Sequence, residues 1–171
     1  MRVVIVVASK HGSTEDLGEV VAQRLRERGV EAVLAQAAEL TDLAGFDAVI
    51  VGGAVYAGRL LPVVRALGTR WGERIGALPN YVFASGPLGA AGEPPCDALE
   101  LAQTLGSRKV AVFPGRAVSA DLGATERAVL RMVGLRDGDY RDLADVRAWA
   151  DSVAADLRDL VPAQPADRPA P

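Results

Sequence analysis

The feature that most constrains the fold is a saturated apolar run at residues 3–8, followed by a short polar turn and an amphipathic segment. A continuous run rich in β-branched residues is typical of a strand that is covered on both faces of a parallel sheet. The segment 13–28 has apolar residues at helical spacing, and Gly29 follows it as a residue typical of helix C-termini. The chain therefore predicts a strand–turn–helix unit at its start.

The same alternation of short apolar runs and longer amphipathic segments continues along the chain. It predicts further strands at residues 30–35, 46–51, 81–84 and 110–113. It predicts further helices at residues 62–73, 95–105 and 143–160. Strands that alternate with helices of this length form right-handed β–α–β units, so we expect an α/β fold with one parallel sheet.

Composition excludes several classes of function. The chain has 171 residues, of which 50% are hydrophobic, and this is sufficient for one domain with its own core. Its 19 basic and 22 acidic residues give a net charge of −3, so it lacks the basic surface that nucleic-acid binding requires. The single cysteine, Cys96, and the single histidine, His11, exclude metal sites built from cysteine clusters or several histidines, and we predict no metal.

The ends of the chain and one inserted segment differ from this regular pattern. The first apolar run is too short for a signal peptide, and no segment is long enough to span a bilayer, so we expect a soluble cytoplasmic protein. The expected domain covers residues 1–161, and residues 162–171 are expected to form a disordered tail rich in proline and alanine. Within the segment 115–142, residues 124–135 are expected to form a lid or packing helix, with contact to a membrane surface as the alternative.

Three loops follow predicted strands at one edge of the sheet, where the carboxyl ends of parallel strands bind ligands. The first loop covers residues 9–14, the second covers residues 52–58, and the third covers residues 85–92. In the first loop, a turn at Gly12, several hydroxyl groups and a helix N-terminus offer N–H and O–H donors to a phosphate. The alternative is an ordinary helix N-terminus capped by Ser13 or Thr14, and this loop alone leaves both interpretations open.

Other folds of similar size have different requirements at these loops. A P-loop requires Gly-x-x-x-x-Gly-Lys before Ser or Thr, and a dinucleotide-binding turn requires Gly-x-Gly-x-x-Gly. The first loop has a single glycine and matches neither pattern. A phospho-receiver domain would have aspartates where this chain has Ser9 and Gly52. The sequence therefore argues against all three.

Residues 4–14 resemble the FMN phosphate loop of flavodoxin-like proteins. The family pattern Thr/Ser-x-Thr-Gly-x-Thr is matched at Ser9, Gly12 and Thr14, whereas His11 replaces a hydroxyl residue. Together with the segment 47–58, this loop is more similar to the branch that contains menaquinone-dependent protoporphyrinogen oxidase. The resemblance covers roughly residues 1–160 and is specific for FMN rather than for the substrate.

The resemblance implies a flavodoxin-like three-layer sandwich, with a five-stranded parallel sheet of order 2-1-3-4-5 and helices on both faces. FMN would lie at the ends of strands one, three and four and would carry the redox chemistry itself. The first loop would hold the phosphate, and the other two loops would line the isoalloxazine. The implied binding residues are Ser9, Lys10, His11, Gly12, Ser13 and Thr14 in the first loop, Ala54, Val55, Tyr56, Ala57 and Gly58 in the second, and Ser85, Gly86, Pro87, Leu88 and Gly89 in the third.

Four side chains have a structural alternative beside a functional role. Tyr56 is expected to stack on the flavin, and packing on the following helix is the alternative. His11 is expected to contribute its backbone N–H, and a charged imidazole beside the phosphate is the alternative. Cys96 is expected to be a plain helix-start residue rather than a reactive thiol, and Arg59 either reaches an anionic substrate or is a solvated surface residue.

The resemblance leaves an enzyme and an electron carrier to be distinguished. Carriers often have a strongly acidic surface and an aromatic residue over the outer flavin face, so the net charge of −3 and the small residues of the third loop favour an enzyme. We expect an FMN-dependent oxidoreductase that transfers hydride or electrons between a small substrate and a quinone or other acceptor, similar to protoporphyrinogen oxidase. The alternative is a flavodoxin that carries electrons to protein partners. No side chain is predicted as a catalytic acid or base, and monomer and homodimer both stay open.

Overall fold

The computed structural model of the chain describes residues 1–56, 58–86, 94–118, 123, 127–128 and 136–160. These residues form eight strands and four long helices, with a single 3₁₀ turn at Ala37–Glu39. The strands are β1 (Arg2–Ala8), β2 (Glu31–Gln36), β3 (Ala48–Tyr56), β4 (Arg59–Leu60), β5 (Asn80–Gly86), β6 (Lys109–Pro114), β7 (Arg116–Ala117) and β8 (Gly138–Asp139). The helices are α1 (Ser13–Glu27), α2 (Pro62–Gly76), α3 (Cys96–Leu105) and α4 (Leu143–Leu160).

One parallel sheet organises the molecule, with its strands in the order β2-β1-β3-β5-β6. All four pairings along this order are parallel, whereas the short β4 adds antiparallel to the end of β3. Counting only the five predicted strands, this is the order 2-1-3-4-5 that the resemblance implied. The prediction of an α/β fold with a flavodoxin-like sheet is confirmed. Strands β7 and β8 form a separate antiparallel pair.

The central strands β1 and β3 are apolar along nearly their whole length because helices cover both faces of the sheet. Val3, Ile5 and Val7 of β1 are buried in the cluster that contains the apolar faces of α1 and α4. Val4 and Val6 are buried in the opposite cluster, which contains the apolar faces of α2 and α3. Successive side chains of a strand point to opposite faces, so each run of consecutive apolar residues contributes to two cores.

Strand β3 extends further than the sequence predicted. It ends at Tyr56 rather than at residue 51, so Gly52, Gly53 and Ala54 belong to the sheet and not to a loop. The physical reason is close packing: a Cβ at Gly52 would collide with the ring of Phe83, and a Cβ at Gly53 would lie 2.7 Å from Cδ2 of Leu60. Glycines that indicate a loop in the sequence therefore make room for neighbouring side chains.

Several predictions fall partly or wholly on residues that the structure does not describe. These are the disordered tail at 162–171, most of the segment 124–135, and Ala57, Pro87, Leu88 and Gly89. They stay predictions, as does the domain boundary at residue 161. Among the described helices, none combines the length and the apolar character that a membrane span requires.

Candidate functional site

The carboxyl ends of three central strands lie side by side at one edge of the sheet. β1 has β2 on one side and β3 on the other, so the strand order reverses at β1. The register places Ala8 beside Gly53 and Ala54 beside Ser85, and the three predicted loops therefore start from neighbouring positions. A parallel sheet forms its ligand crevice at such a reversal.

The loop after β1 leaves the N-terminus of α1 open. Gly12 is the N-cap residue, with φ +79° and ψ −18°, and it has no side chain that could cap the helix. The first N–H groups of a helix have no partner within the helix, so those that no side chain satisfies direct donors and a partial positive charge outward. Capping by Ser13 or Thr14, the alternative in the sequence analysis, is not what the structure shows, because both residues already lie within α1.

Two hydroxyl side chains of this loop accept hydrogen bonds from backbone N–H groups. The Oγ of Ser9 accepts a hydrogen bond from the backbone N–H of Thr14 at 3.3 Å, and Thr14 is buried. The Oγ of Ser13 accepts a hydrogen bond from the backbone N–H of Arg116 at 3.1 Å. A Cβ placed on Gly12 would meet no atom within 4 Å, so the space beside this residue is open. The loop therefore combines backbone N–H groups at the start of α1 with open space beside Gly12.

Tyr56 joins the first and second loops. It is the last residue of β3 and is half-buried. Its ring centroid lies 5.8 Å from Nζ of Lys10 and 6.0 Å from the ring centroid of His11, which meets it edge-on. An ammonium group over an aromatic ring at such a distance contributes about 0.5–1 kcal/mol at an exposed site. The only aromatic side chain that the sequence placed in the loops thus lies against the predicted phosphate loop.

The remaining residues of the second loop contribute mainly backbone. The side chain of Val55 is buried in the core on the α2 and α3 side, and Ala54 is also buried. Gly58 has a φ of +76° and turns the chain from β3 into β4. The register pairs Val55 with Leu60 and Tyr56 with Arg59, so the end of β3 and β4 form an antiparallel hairpin. We refer to residues 55–56 and 58–60 as the β3–β4 hairpin.

The described part of the third loop is the end of β5. Ser85 is buried and pairs with Ala54 and Phe113 in the sheet. Gly86 permits a close approach, since a Cβ there would lie 2.9 Å from Cβ of Val55. Its carbonyl accepts a hydrogen bond from the N–H of Gly115 at 2.7 Å. This segment is therefore fixed against both β3 and the chain that leaves β6.

The segment around β7 and β8, which lies within the inserted segment 115–142, contacts the first loop and the start of α1. Besides the bond from Arg116 to Ser13, Tyr140 donates its N–H to the carbonyl of Gly115 at 3.2 Å. Arg141 donates to Asp16 of α1 at 2.7 Å and forms a two-point ion pair with Asp139 at 2.6 and 2.8 Å. The guanidinium of Arg141 holds the pKa of Asp139 below its usual value. The segment is identifiable from the sequence, but its contacts with α1 are not, because they join residues 103 and 125 positions apart.

Two cationic residues neighbour Tyr56. Lys10 lies against its ring, and Arg59 pairs with it across the hairpin. Nε of Arg59 and Nε of Arg65 lie 3.8 and 3.9 Å from one carboxylate oxygen of Asp97. Cys96, the residue before Asp97, is exposed at the first position of α3. The hairpin that carries Tyr56 therefore shares a buried carboxylate with α2.

These features fit a dianionic phosphate in the first loop. The donors are an open helix N-terminus and hydroxyl groups, and Gly12 leaves space in front of them. The sequence profile of the flavodoxin domain matches residues 4–143. The chain belongs to the flavodoxin family. Flavin mononucleotide is the cofactor of this family, so the prediction of FMN is confirmed at the level of the family.

Solved flavodoxin structures share the fold at low sequence identity. The chain superposes on an archaeal flavodoxin with a TM-score of 0.61 at 14% identity, covering 92% of this chain and 99% of that one. A flavodoxin of Streptococcus pneumoniae gives a TM-score of 0.60 at 19% identity, covering 91% and 99%. The rubredoxin:oxygen oxidoreductase of Desulfovibrio gigas gives 0.65 at 20% identity, and there the match covers 92% of this chain but 36% of the larger protein. No curated protein matches the sequence.

The comparisons support the flavodoxin part of the resemblance and leave the finer part open. A flavodoxin domain is consistent with electron transfer through a bound flavin. The comparisons give no support for membership of the protoporphyrinogen oxidase branch, and they test neither a quinone acceptor nor the oligomeric state. The individual FMN-binding residues stay predictions.

Proposed function

We propose that this flavodoxin-family protein is an FMN-dependent oxidoreductase that transfers hydride or electrons between a small substrate and a quinone or other acceptor. The observation that carries the proposal is the N-terminus of α1, where the N-cap residue Gly12 has no capping side chain and leaves space beside it. Backbone donors at a helix N-terminus are well suited to a phosphate group. When bound, FMN supplies the redox chemistry, because its isoalloxazine accepts and releases hydride or electrons.

Each of the three loops would contact a different part of FMN. In this proposal residues 9–14 hold the phosphate through backbone N–H groups, with the bond between Ser9 and Thr14 keeping the turn in shape. Tyr56 offers its ring to the isoalloxazine, and Gly58, Ser85 and Gly86 bring backbone close to it. The predicted lining also includes four residues that the structure does not describe, namely Ala57, Pro87, Leu88 and Gly89.

The charge near Tyr56 supports a small anionic substrate. The whole chain carries a net charge of −3, yet Lys10 lies against this ring and Arg59 pairs with Tyr56 in the hairpin. Arg59 is 69% exposed and can turn toward a bound molecule. Lys10 and Arg59, the latter partly offset by Asp97, attract carboxylates, which favours a cyclic substrate with acidic substituents, such as a porphyrinogen, over a basic partner.

Titration with FMN followed by turnover assays tests the proposal. The purified protein is expected to take up one FMN per chain with quenched flavin fluorescence. The loaded protein is expected to oxidise porphyrinogens over many cycles when a small quinone is supplied as the acceptor of the electrons. Protein that takes up no FMN would refute the cofactor assignment. Rapid electron delivery to a protein acceptor, with no turnover of any small substrate, would instead identify an electron carrier.

A further inference from the structure

One buried carboxylate outside the predicted loops connects the elements around the proposed flavin site. Asp97 is the second residue of α3 and is 8% exposed. Its Oδ2 accepts a hydrogen bond from the backbone N–H of Leu60 in β4 at 2.9 Å. Arg59 of β4 and Arg65 of α2 flank the same oxygen at 3.8 and 3.9 Å. Three elements, β4, α2 and α3, therefore meet at this side chain.

Stability alone is a poor explanation for this arrangement. Burying a carboxylate is costly unless it is paired and fully hydrogen-bonded, and replacing a buried ion pair by apolar residues is often neutral or stabilising. Oδ1 of Asp97 is buried, and no described residue donates a hydrogen bond to it. Within the part of the chain that the structure describes, the hydrogen bond of this carboxylate is made through Oδ2, and that bond connects it to β4.

Asp97 holds the β3–β4 hairpin through its hydrogen bond with Leu60. Leu60 pairs with Val55 across the hairpin, and the N–H of Leu61 donates to the carbonyl of Ala54 at 3.0 Å. The bond from Leu60 to Asp97 ties this hairpin to α3, the helix that follows the third loop. Tyr56 is held in the same hairpin. A shift of Asp97 would therefore move the ring that faces the proposed isoalloxazine site.

We propose that Asp97 is a positioning residue for the flavin, and this proposal rests on the FMN function proposed above. Its hydrogen bond to Leu60 sets the hairpin and with it Tyr56. Its negative charge offsets Arg59 and Arg65, whose uncompensated charge would stabilise an anionic reduced flavin. Asp97 therefore affects the FMN affinity through Leu60 and Tyr56. It affects the reduction potential through Arg59 and Arg65.

Two substitutions separate the two roles. Asp97→Asn keeps an oxygen that can accept from Leu60 but removes the charge, so FMN affinity is expected to stay within about threefold while the midpoint potential shifts upward. Asp97→Ala removes both, and it is expected to weaken FMN binding by roughly tenfold or more and to change the absorption spectrum of the bound flavin. FMN affinity is measured by fluorescence titration, and the potential by spectroscopic redox titration.

Asp47→Ala is the matched control. Asp47 precedes β3, and its Oδ2 accepts a backbone hydrogen bond from Arg2 at 2.6 Å, at the opposite end of the sheet. This variant is expected to lose stability without any change in FMN affinity or potential. Arg59→Gln is a second probe that leaves the buried carboxylate in place, and it is expected to shift the potential downward because it removes an exposed cation.

The outcomes distinguish the two proposals. If the wild-type protein binds FMN but Asp97→Asn and Arg59→Gln leave its potential unchanged, the electrostatic role of Asp97 is wrong. If Asp97→Ala binds FMN as tightly as Asp47→Ala does, the positioning role is wrong. If the wild-type protein binds no FMN at all, the proposed function fails first, and the role of Asp97 falls with it.

Discussion

At the scale of single residues, Gly12 combines a left-handed backbone with a place at the mouth of the proposed phosphate site. Its φ of +79° is nearly the same as the +80° of Gly29, and a Cβ placed on either residue would meet no atom within 4 Å. Alanine at either position is strained by about 1 kcal/mol, because a left-handed conformation crowds the Cβ against its own backbone. At Gly12, a backbone shift that relieves this strain would turn the N–H groups of the loop away from a bound phosphate. The same shift at Gly29 would leave those N–H groups in place.

The pair Gly12→Ala and Gly29→Ala therefore separates strain from binding. Both variants are expected to lose a similar amount of unfolding free energy in urea, but only Gly12→Ala is expected to lose FMN affinity, by at least roughly tenfold. Equal FMN affinity in the two variants would show that the turn at residue 12 does not hold the phosphate.

Residue types and spacing were enough to predict the turn between β1 and α1, whose phosphate-binding role stays a prediction, but not the contacts between loops. The run from Ser9 to Thr14 is visible in the sequence because strand, glycine, hydroxyl groups and helix follow one another directly. The edge-on contact of His11 with Tyr56 depends on the pairing of β1 with β3, and no local pattern specifies that pairing. The hydrogen bond between Leu60 and Asp97 has no local sequence signal for the same reason, since the two residues lie 37 positions apart.

At the scale of elements, the packing of β3 against β5 depends on a missing side chain. A Cβ at Gly52 would overlap the Phe83 ring, which is fully buried and is packed against Phe113 and Trp149. Gly52→Ala is expected to reduce the unfolding free energy by about 1–3 kcal/mol, the usual cost of overpacking. Urea denaturation measures this loss, and the double variant Gly52→Ala/Phe83→Leu is expected to recover part of it.

Gly72→Ala in α2 is the control for this prediction. A Cβ there would meet no atom within 4 Å, so alanine is expected to stabilise the helix by up to about 1 kcal/mol. A Gly52→Ala variant that is as stable as the wild-type protein would show that the sheet can shift to accept the methyl group.

The boundaries of the elements show where local patterns fail. The bounds of α4 agree with the prediction, because its apolar spacing runs to its end. β3 was predicted too short because Gly52 and Gly53 look like the start of a turn, whereas their partners across the sheet require them to be small. The two-residue strand β4 carries no periodic signal at all, and it exists because Gly58 folds the chain back onto β3.

At the scale of the whole molecule, one ion-pair cluster connects the first helix with the last. Asp151 of α4 accepts hydrogen bonds from Arg24 at 2.8 Å and from Arg28 at 2.7 and 3.0 Å. These two guanidinium groups, Arg28 first, hold the pKa of Asp151 well below its usual value. A carboxylate with a lowered pKa in the folded state stabilises that state at pH values above the unfolded pKa of about 3.9. This contribution is lost as the pH falls through the folded pKa.

Asp151→Asn is therefore expected to be less stable than the wild-type protein at pH 7, with a difference that shrinks as the pH falls below about 4. The control is Asp159→Asn, which removes the same charge from an exposed position of the same helix. Urea denaturation across this pH range gives the comparison. A difference that is the same at pH 3 and pH 7 would contradict the assigned cause of the pKa shift.

The fold as a whole was predictable because its signal is repeated. Each strand–helix unit carries its own apolar period, and consecutive parallel units restrict the topology to very few arrangements. The function was predictable only as far as the cofactor, because the first loop is continuous in sequence. The substrate would contact side chains from several loops, and their combination is decided by tertiary packing.

The brace between Ser13 and Arg116 joins residues that lie 103 positions apart, and the pair Asp16 and Arg141 spans 125 positions. A nascent chain therefore exposes residues 9–14 long before their braces have been synthesised. Since domains fold as units during translation, we expect the cofactor to be captured late, after the last helix has left the ribosome. The part of the chain that is made first would thus be among the last to become competent for binding.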